Sequence, residues 1–573
     1  MVNAMPSAKR IAIFFLVVCL TTTRAAWREP VRAPHGMVAS TERAASQIGV
    51  DVLKRGGNAV DAAIAEAFTL AVIYPQAGNL GGGGFMLIRQ HDGSATAIDY
   101  REAAPMSATR EMFVGPNGEL ITGPGSSVLG YRAAGVPGTV AGMALALKKY
   151  GSGKLTWAEL IEPARKLATD GFVVTHRTEK LLADYQETLG QLGDSRRIFL
   201  RDGKLFHEGE LLRQPELAAT LGRLQKKGAR EFYEGETARL IAEDMHEQHG
   251  LITGEDLREY TAKERVPLRG NYRGHEIISM PPPSAGGAVL IEMLNMLEGF
   301  DLGKLQPFSA DYYHLLVEVM RRAYADRAEY FGDSDFVQVP VAGMIDKGYA
   351  EKQRSSIKLD RAAPSSEVRG GKPAGYESTE TTHFTVVDAE GNAVANTYTL
   401  NGWFGSRVVA KGTGVLLNNE MDDFTSKPGA PNMFGAVQSE RNAIAPRKRP
   451  LSSMTPTFVL RPDGTLFFAI GSPGGTTITN TVLQVITNVI DHGMNLQAAI
   501  DAPHIHHQWL PDEIREEPLG LSADTRQALE TRGHRFAPNP TNMSDLQGVM
   551  IEEKTNVRLG ASDSRQDGAA VGY

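Results

Sequence analysis

The sequence predicts a layered body of sheets and helices, class α+β. Helical patterns alternate with glycine-punctuated turns from Trp27 to about Gly303, and short β-branched and aromatic runs gather after Thr381. Helices recur in both halves, so each sheet has helices to pack against. At 573 residues, with 42% hydrophobic and 22% charged, the chain is globular and long enough for two or more domains. A net charge of -7 without a long basic run implies no nucleic-acid partner and no electrostatic membrane contact.

The first residues read as an export leader. Lys9 and Arg10 precede the apolar run Ile11 to Leu20, and Ala25 and Ala26 supply small residues for cleavage. The run falls short of the roughly 20 apolar residues that a membrane span needs. The expected location is therefore periplasmic or secreted, with residues 1–26 removed. Cys19 is the only cysteine and leaves with the leader, so the mature chain has neither a disulfide nor a thiolate nucleophile.

In chain order, Ala59 to Val72 is an alanine-rich helix, and Gly81 to Gly84 lead into the strand Phe85 to Ile88. Pro137 and Gly138 break the chain before another alanine-rich helix. Pro281-Pro282-Pro283-Ser284 introduces a helix over Val289 to Leu297, and Tyr312 to Tyr330 is the next. Leu359 to Glu380 reads as an exposed loop. Phe384 to Val387, Ala393 to Thr399, Thr457 to Leu460 and Leu466 to Ile470 read as strands, and Thr479 to Asp491 as a helix beside them. The glycine run lacks GxGxxG spacing, so it reads as close backbone packing and not as a nucleotide cradle. His504, His506 and His507 lack HExxH spacing, and no metal or other cofactor is expected.

Thr381 opens the hydroxyl-rich run to Asp388, directly after the polar stretch from Arg369 to Glu380. A threonine hydroxyl needs a base within hydrogen-bond reach. Were the bond after Glu380 cut, the new α-amino group would be that base, with an ordinary pKa of about 7.7–8.0. In isolation Thr381 reads as a β-strand threonine.

Several motifs lift it above that reading. The run Thr381 to Asp388, Asn396-Thr397-Tyr398-Thr399-Leu400-Asn401 and Leu417 to Phe424 together resemble the γ-glutamyltranspeptidases. Pro450-Leu451-Ser452-Ser453-Met454, Gly471-Ser472-Pro473-Gly474-Gly475 and the terminal Gly568 to Tyr573 match as well. Earlier in the chain, Asp99-Tyr100-Arg101-Glu102, the glycine run and the Pro-Pro-Pro-Ser segment fit. The resemblance covers essentially the whole mature chain, in order.

It implies a four-layer αββα N-terminal-nucleophile hydrolase sandwich, formed jointly by a large subunit (27–380) and a small catalytic subunit (381–573). It further implies that Thr381 cuts the bond before it, then takes the γ-glutamyl group of glutathione or a related amide and passes it to water, an amino acid or a short peptide. By the same resemblance Thr399 orients the nucleophile, and Gly474 and Gly475 form the oxyanion hole. Arg101, Ser452 and Ser453 hold the substrate α-carboxylate, and Asn401, Glu420 and Asp423 its α-ammonium. Pro428 to Gly435, with Phe434, resembles part of a lid that favours small γ-glutamyl peptides. Glu380 departs from the neutral residue common before the cut, which bears on the rate of maturation. Trp403 and Arg407, near Asn401, bear on acceptor preference. A related acylase that strips side chains from a β-lactam nucleus uses the same nucleophile, but the zwitterion set suits glutamate.

Overall fold

The computed structural model describes residues 27–201, 203–368 and 381–573. The expected leader and the stretch Arg369 to Glu380 lie outside the described residues. Two seven-stranded sheets form the centre. One runs, strand by strand, Ala569–Gly572, Met37–Ser40, Thr382–Val387, Ala393–Thr399, Gly83–Arg89, Ala95–Asp99 and Lys263–Arg265. The other runs Val31–Ala33, Arg558–Ser562, Gln547–Ile551, Leu466–Gly471, Thr457–Leu460, His275–Ser279 and Leu268–Tyr272. All pairings within both sheets are antiparallel.

The sheets pack face to face through a thin core that includes Met37, Phe85, Leu87, Val387, Ala395, Phe458 and Val549. Helices cover both outer faces, which completes four αββα layers. Ala59–Ile73 lies against the first sheet, every residue buried, which explains its alanine content: small side chains let it approach the strands closely. Its start is fixed by Asn58, whose side chain accepts from the Val60 and Asp61 amides, while Asp61 returns a bond to the Asn58 amide. Gly286–Leu297, Ala310–Tyr330 and Thr477–Ile490 cover the second sheet.

The expected elements are present with small shifts. The strands Ala393–Thr399 and Thr457–Leu460 begin and end as expected. The long helix starts at Ala310, where the Ser309 side chain caps the Tyr312 amide, and the last-named helix starts at Thr477. The stretch read as an exposed loop from Leu359 is tied down before it leaves the described residues. Ser365 is buried, its amide bonds Asp512 Oδ2 at 2.9 Å, and Trp509 Nε1 donates to the Ser365 and Val368 carbonyls.

The glycine run has the expected cause. A Cβ at Gly82 would stand 2.0 Å from the Thr399 carbonyl oxygen, and one at Gly84 2.4 Å from that of Thr397. Only bare backbone can lie so close to the strand Ala393–Thr399.

Candidate active site

Strand register brings the two expected threonines together. Thr382 pairs with Tyr398, so one further step sets Thr381 beside Thr399. Side chains alternate along a strand. Phe384, Val386 and Tyr398 pack on the helix side, whereas Val387, Ala393 and Ala395 face the second sheet. Thr381 and Thr399 share the phase of the latter set and so face the inter-sheet side, both nearly sealed at 3% and 1% exposure. Thr399 Oγ1 accepts the Asn401 amide at 2.8 Å, and its carbonyl accepts Asn79 Nδ2 at 2.8 Å. Asn79 also accepts from the Gly82 amide and the Thr139 hydroxyl, locking the glycine run to the end of the threonine strand.

His383, two residues along the same face, bonds Thr397 Oγ1 at 2.8 Å and Thr385 Oγ1 at 3.1 Å. Burial pushes its pKa down to about 3, so it is a neutral packing element. Gly471 lies directly against that ring, since a Cβ there would be 2.3 Å from Cε1. Three residues later come Gly474 and Gly475, at φ of 133° and 56°, values that disfavour any side chain. The Gly474 carbonyl accepts the Thr477 amide at 3.0 Å and hydroxyl at 2.8 Å, which pins the turn to the start of helix Thr477–Ile490. A turn of this kind can aim backbone N–H groups at a developing oxyanion.

The expected substrate residues lie in one buried charged pocket, in a pairing the sequence did not reveal. Arg101 is 1% exposed, and its fork is filled by the chain's own groups. Nη1 pairs with Glu420, while Nη2 bonds Asp423 Oδ2 at 2.5 Å and the Leu451 carbonyl at 3.2 Å. Burial opposes its charge, but Glu420, Asp423 and Glu102 outweigh that and raise its pKa. Burial also pushes Glu102 up to about 7 and Glu420 well above the usual carboxylate range, against the opposing pull of Arg101. Neither glutamate accepts a well-formed hydrogen bond among the described residues. Three acids around one guanidinium leave room for a second cation. Ser452 Oγ accepts the Met454 amide at 3.1 Å, and Ser453 Oγ accepts Arg327 Nε at 3.0 Å. Asn401 Nδ2 donates to the Asn419 carbonyl at 3.0 Å.

The loop containing Phe434 closes over these groups. Asn432 Nδ2 donates to Asp423 Oδ1 at 2.9 Å, and Met433 Sδ lies 3.6 Å from Asn401 Nδ2. A Cβ on Gly475 would come within 2.8 Å of Phe434 Cδ1. The loop thus spans from the acid pocket to the diglycine turn. Arg327, Asn432, Glu102 and Asn79 were not foreseen. Arg327 and Asn79 act through partners distant in sequence or through buried backbone groups, whereas Glu102 and Asn432 lie in quoted segments whose pairings only the fold reveals. Of the two residues near Asn401, Arg407 turns away to the Gly405 carbonyl at 2.5 Å, whereas the Trp403 ring meets Tyr74 edge-on at 6.2 Å.

The histidine-rich stretch disperses. His506 bonds Asn480 and Gln508, and His507 faces Asp512 and Arg321. His314, Glu318 and His534 bring ligand atoms within 4.8 Å of one another, but Glu318 is paired with Arg321 and Arg322. A metal ion there would sit against two guanidinium groups, so the cluster reads as a polar core. A cavity of about 580 Å³ lies behind the Arg101 segment, lined in part by Ala103, Tyr260, Arg447 and Arg449, away from Thr381.

The model of the family described as Gamma-glutamyltranspeptidase matches residues 45–573. The chain belongs to this family. It is 50% identical over 548 residues to a glutathione hydrolase proenzyme of Escherichia coli (strain K12), spanning 95% of this chain and 93% of that protein. Among solved structures, Helicobacter pylori gamma-glutamyltranspeptidase is 44% identical with a TM-score of 0.57, covering 61% of this chain and 97% of that one. A cephalosporin acylase from Bacillus halodurans superposes with a TM-score of 0.84 at 28% identity, covering 97% and 98%.

Proposed function

We infer that the chain is a self-cleaving precursor of a γ-glutamyltransferase and glutathione hydrolase, with Thr381 as nucleophile. One observation supports the assignment of roles: the strand register sets Thr381 beside Thr399, and Gly471, which leads to the diglycine turn, lies against His383 on the same face. In the precursor, Thr381 Oγ attacks the Glu380 carbonyl, the acyl group shifts from nitrogen to oxygen and frees the α-amine, and water then hydrolyses the ester to leave the Glu380 carboxylate and the Thr381 hydroxyl. The products are residues 27–380 and 381–573, once the leader 1–26 has directed export to the periplasm or beyond. Among the described residues no helix is long and apolar enough to cross a membrane.

In the mature enzyme the Thr381 amine takes the hydroxyl proton as Oγ attacks the γ-carbonyl of the donor. Backbone N–H groups at Gly474 and Gly475 receive the oxyanion, a contribution of about 2.7–4 kcal/mol per donor. The proton passes to the departing amine, leaving a γ-glutamyl ester on Thr381. Water, an amino acid or a short peptide then takes the acyl group. Substrate binding is an exchange of ions. The α-ammonium becomes the second cation of the acid pocket, drawing Glu420 and Asp423 from Arg101, with Asn401 beside it. The freed guanidinium face, with Ser452 and Ser453, takes the α-carboxylate, for which its planar fork is suited.

A glutaryl group, as in an acylase substrate, has no ammonium and would leave these buried acids without a new partner. The enzyme therefore turns over γ-glutamyl-p-nitroanilide and not glutaryl-linked amides. N-terminal sequencing of the smaller fragment tests the cut and should begin at Thr381. Thr381→Ala should remain one uncut, inactive chain; a processed, active variant would overturn the assignment.

A further inference from the structure

The donor has two ends, and the sheet separates them. From the strand of Thr381, the order runs through Ala393–Thr399 and Gly83–Arg89 to Ala95–Asp99, whose end leads to Arg101. That is three strand spacings, about 14 Å at about 4.8 Å each. On the other side lies Met37–Ser40, one spacing away, and continuing its register beyond the Ser40–Phe384 pair sets Thr41 beside His383. The glutamyl end lies toward Arg101, so the amine that leaves or attacks lies toward Thr41.

A cation waits on that side. Arg177, on helix His176–Asp184, lies over the Tyr74 ring at 5.4 Å and the Trp403 ring at 5.6 Å. Its Nη1 is 3.6 Å from Asp545 Oδ2, beyond a good hydrogen bond. Asp545 is already satisfied, accepting from the Thr41 hydroxyl at 2.6 Å and Gln547 Nε2 at 2.7 Å. The guanidinium makes no hydrogen bond among the described residues, and Nη1 is sealed from water while the side chain as a whole keeps 17% exposure. Glu42 lies close enough to feel this cation, yet burial pushes its carboxyl up to about 8, which leaves the long ion pair with Asp545 and the more distant Asp567 as the cation's charge partners. The Asp545 amide reaches Ser472 Oγ at 3.4 Å, which ties this group to the strand end bearing the diglycine turn.

We propose that Arg177, walled by Tyr74 and Trp403, receives the carboxylate of the amine-side molecule: the leaving peptide's C-terminus on the way out, the acceptor's on the way in. An extended dipeptide spans about 7 Å, enough to cross the one strand spacing. The aromatic walls hold the planar guanidinium flat and leave its edge for a carboxylate. This assignment rests on the γ-glutamyl reading above and names the determinant of its second substrate.

The experiment compares kcat/KM for γ-glutamyl-p-nitroanilide with that for γ-glutamyl-3-carboxy-4-nitroanilide, in wild type, Arg177→Gln and Arg177→Lys. Loss of one charge-assisted hydrogen bond predicts that the carboxylated-to-plain ratio falls about tenfold in Arg177→Gln, with Arg177→Lys between. A second arm needs only wild type: glycylglycine should have a several-fold lower KM as acceptor than glycylglycinamide. No turnover of either anilide by wild type would sink the γ-glutamyl reading and this assignment with it. Turnover with an equal ratio in wild type and Arg177→Gln, or equal KM for the two acceptors, would sink the assignment alone.

Discussion

Asn432 is the clearest point at which to disturb the loop and the substrate pocket separately. Its amide group donates to Asp423 Oδ1 at 2.9 Å, and its carbonyl oxygen accepts the Phe434 and Ala436 amides, each at 3.0 Å. Asp423 is 8% exposed, so water cannot readily replace the lost donor. A hydrogen bond to a buried carboxylate contributes about 1.5–3 kcal/mol, which at 1.36 kcal/mol per tenfold converts to about 13- to 160-fold. Asn432→Ala should lower kcat/KM for γ-glutamyl-p-nitroanilide by that factor, mostly through KM, because the bond orients a binding group. Asn432→Asp keeps an acceptor for both loop amides but sets a second carboxylate against Asp423. Two carboxylates so close hold one proton between them at low pH and repel once both ionise. Its activity relative to wild type should therefore be poorest at pH 8 and recover as pH falls toward 5. Steady-state kinetics across that range decide the matter. A less than threefold change in Asn432→Ala, or an Asn432→Asp enzyme equal to wild type at pH 8, would refute the argument.

Gly475→Ala should be damaged twice, since its φ of 56° disfavours alanine and the new Cβ would meet Phe434 at 2.8 Å. Displacing the oxyanion donor predicts a loss in kcat of about 100-fold or more, and, because one turn serves both reactions, slower self-cleavage on a denaturing gel. Glu292 and Asp326 form a buried carboxyl pair between two helices, and burial raises both pKa values, each further favoured in its protonated state or eased by its neighbours. A folded pKa above the unfolded one means that the folded state holds the extra proton, so stability is complete below the ordinary carboxylate range and is lost as pH rises through the folded value. Glu292→Gln should thus lose less Tm than wild type between pH 5 and pH 9; parallel curves in thermal denaturation would count against the pair.

Much of this was legible in the sequence because it rests on local pattern. The alternation in Ala393 to Thr399 and the alanines of Ala59 to Val72 need no partner to be read. The site residues were legible only through family motifs, since Thr381, Arg101 and Asp423 gather no signal from periodicity. What stayed hidden was who pairs with whom. Ser453 reads as a carboxylate ligand, yet its hydroxyl is held by Arg327, 126 residues earlier. Arg101 reads as an open fork, whereas at 1% exposure it is paired with Glu420 and Asp423, because an unpaired guanidinium there would be far less stable. Arg177 carries no sequence signal at all; only the sheet order sets it across Thr381 from Arg101.

The same sheet order explains why a nucleophile that must become a chain terminus sits at Thr381. Termini ordinarily fray, and a frayed amine could not stay within hydrogen-bond reach of its own hydroxyl's target. Here the next residue already belongs to a strand flanked on both sides, by Met37–Ser40 and by Ala393–Thr399. The described ladder of this strand begins at Thr382, opposite Tyr398. Both sheets interleave strands from before and after the cut, so the two pieces share one core and have no separate fold to relax into. The cut therefore gives the hydroxyl a base without loosening the platform that aims it.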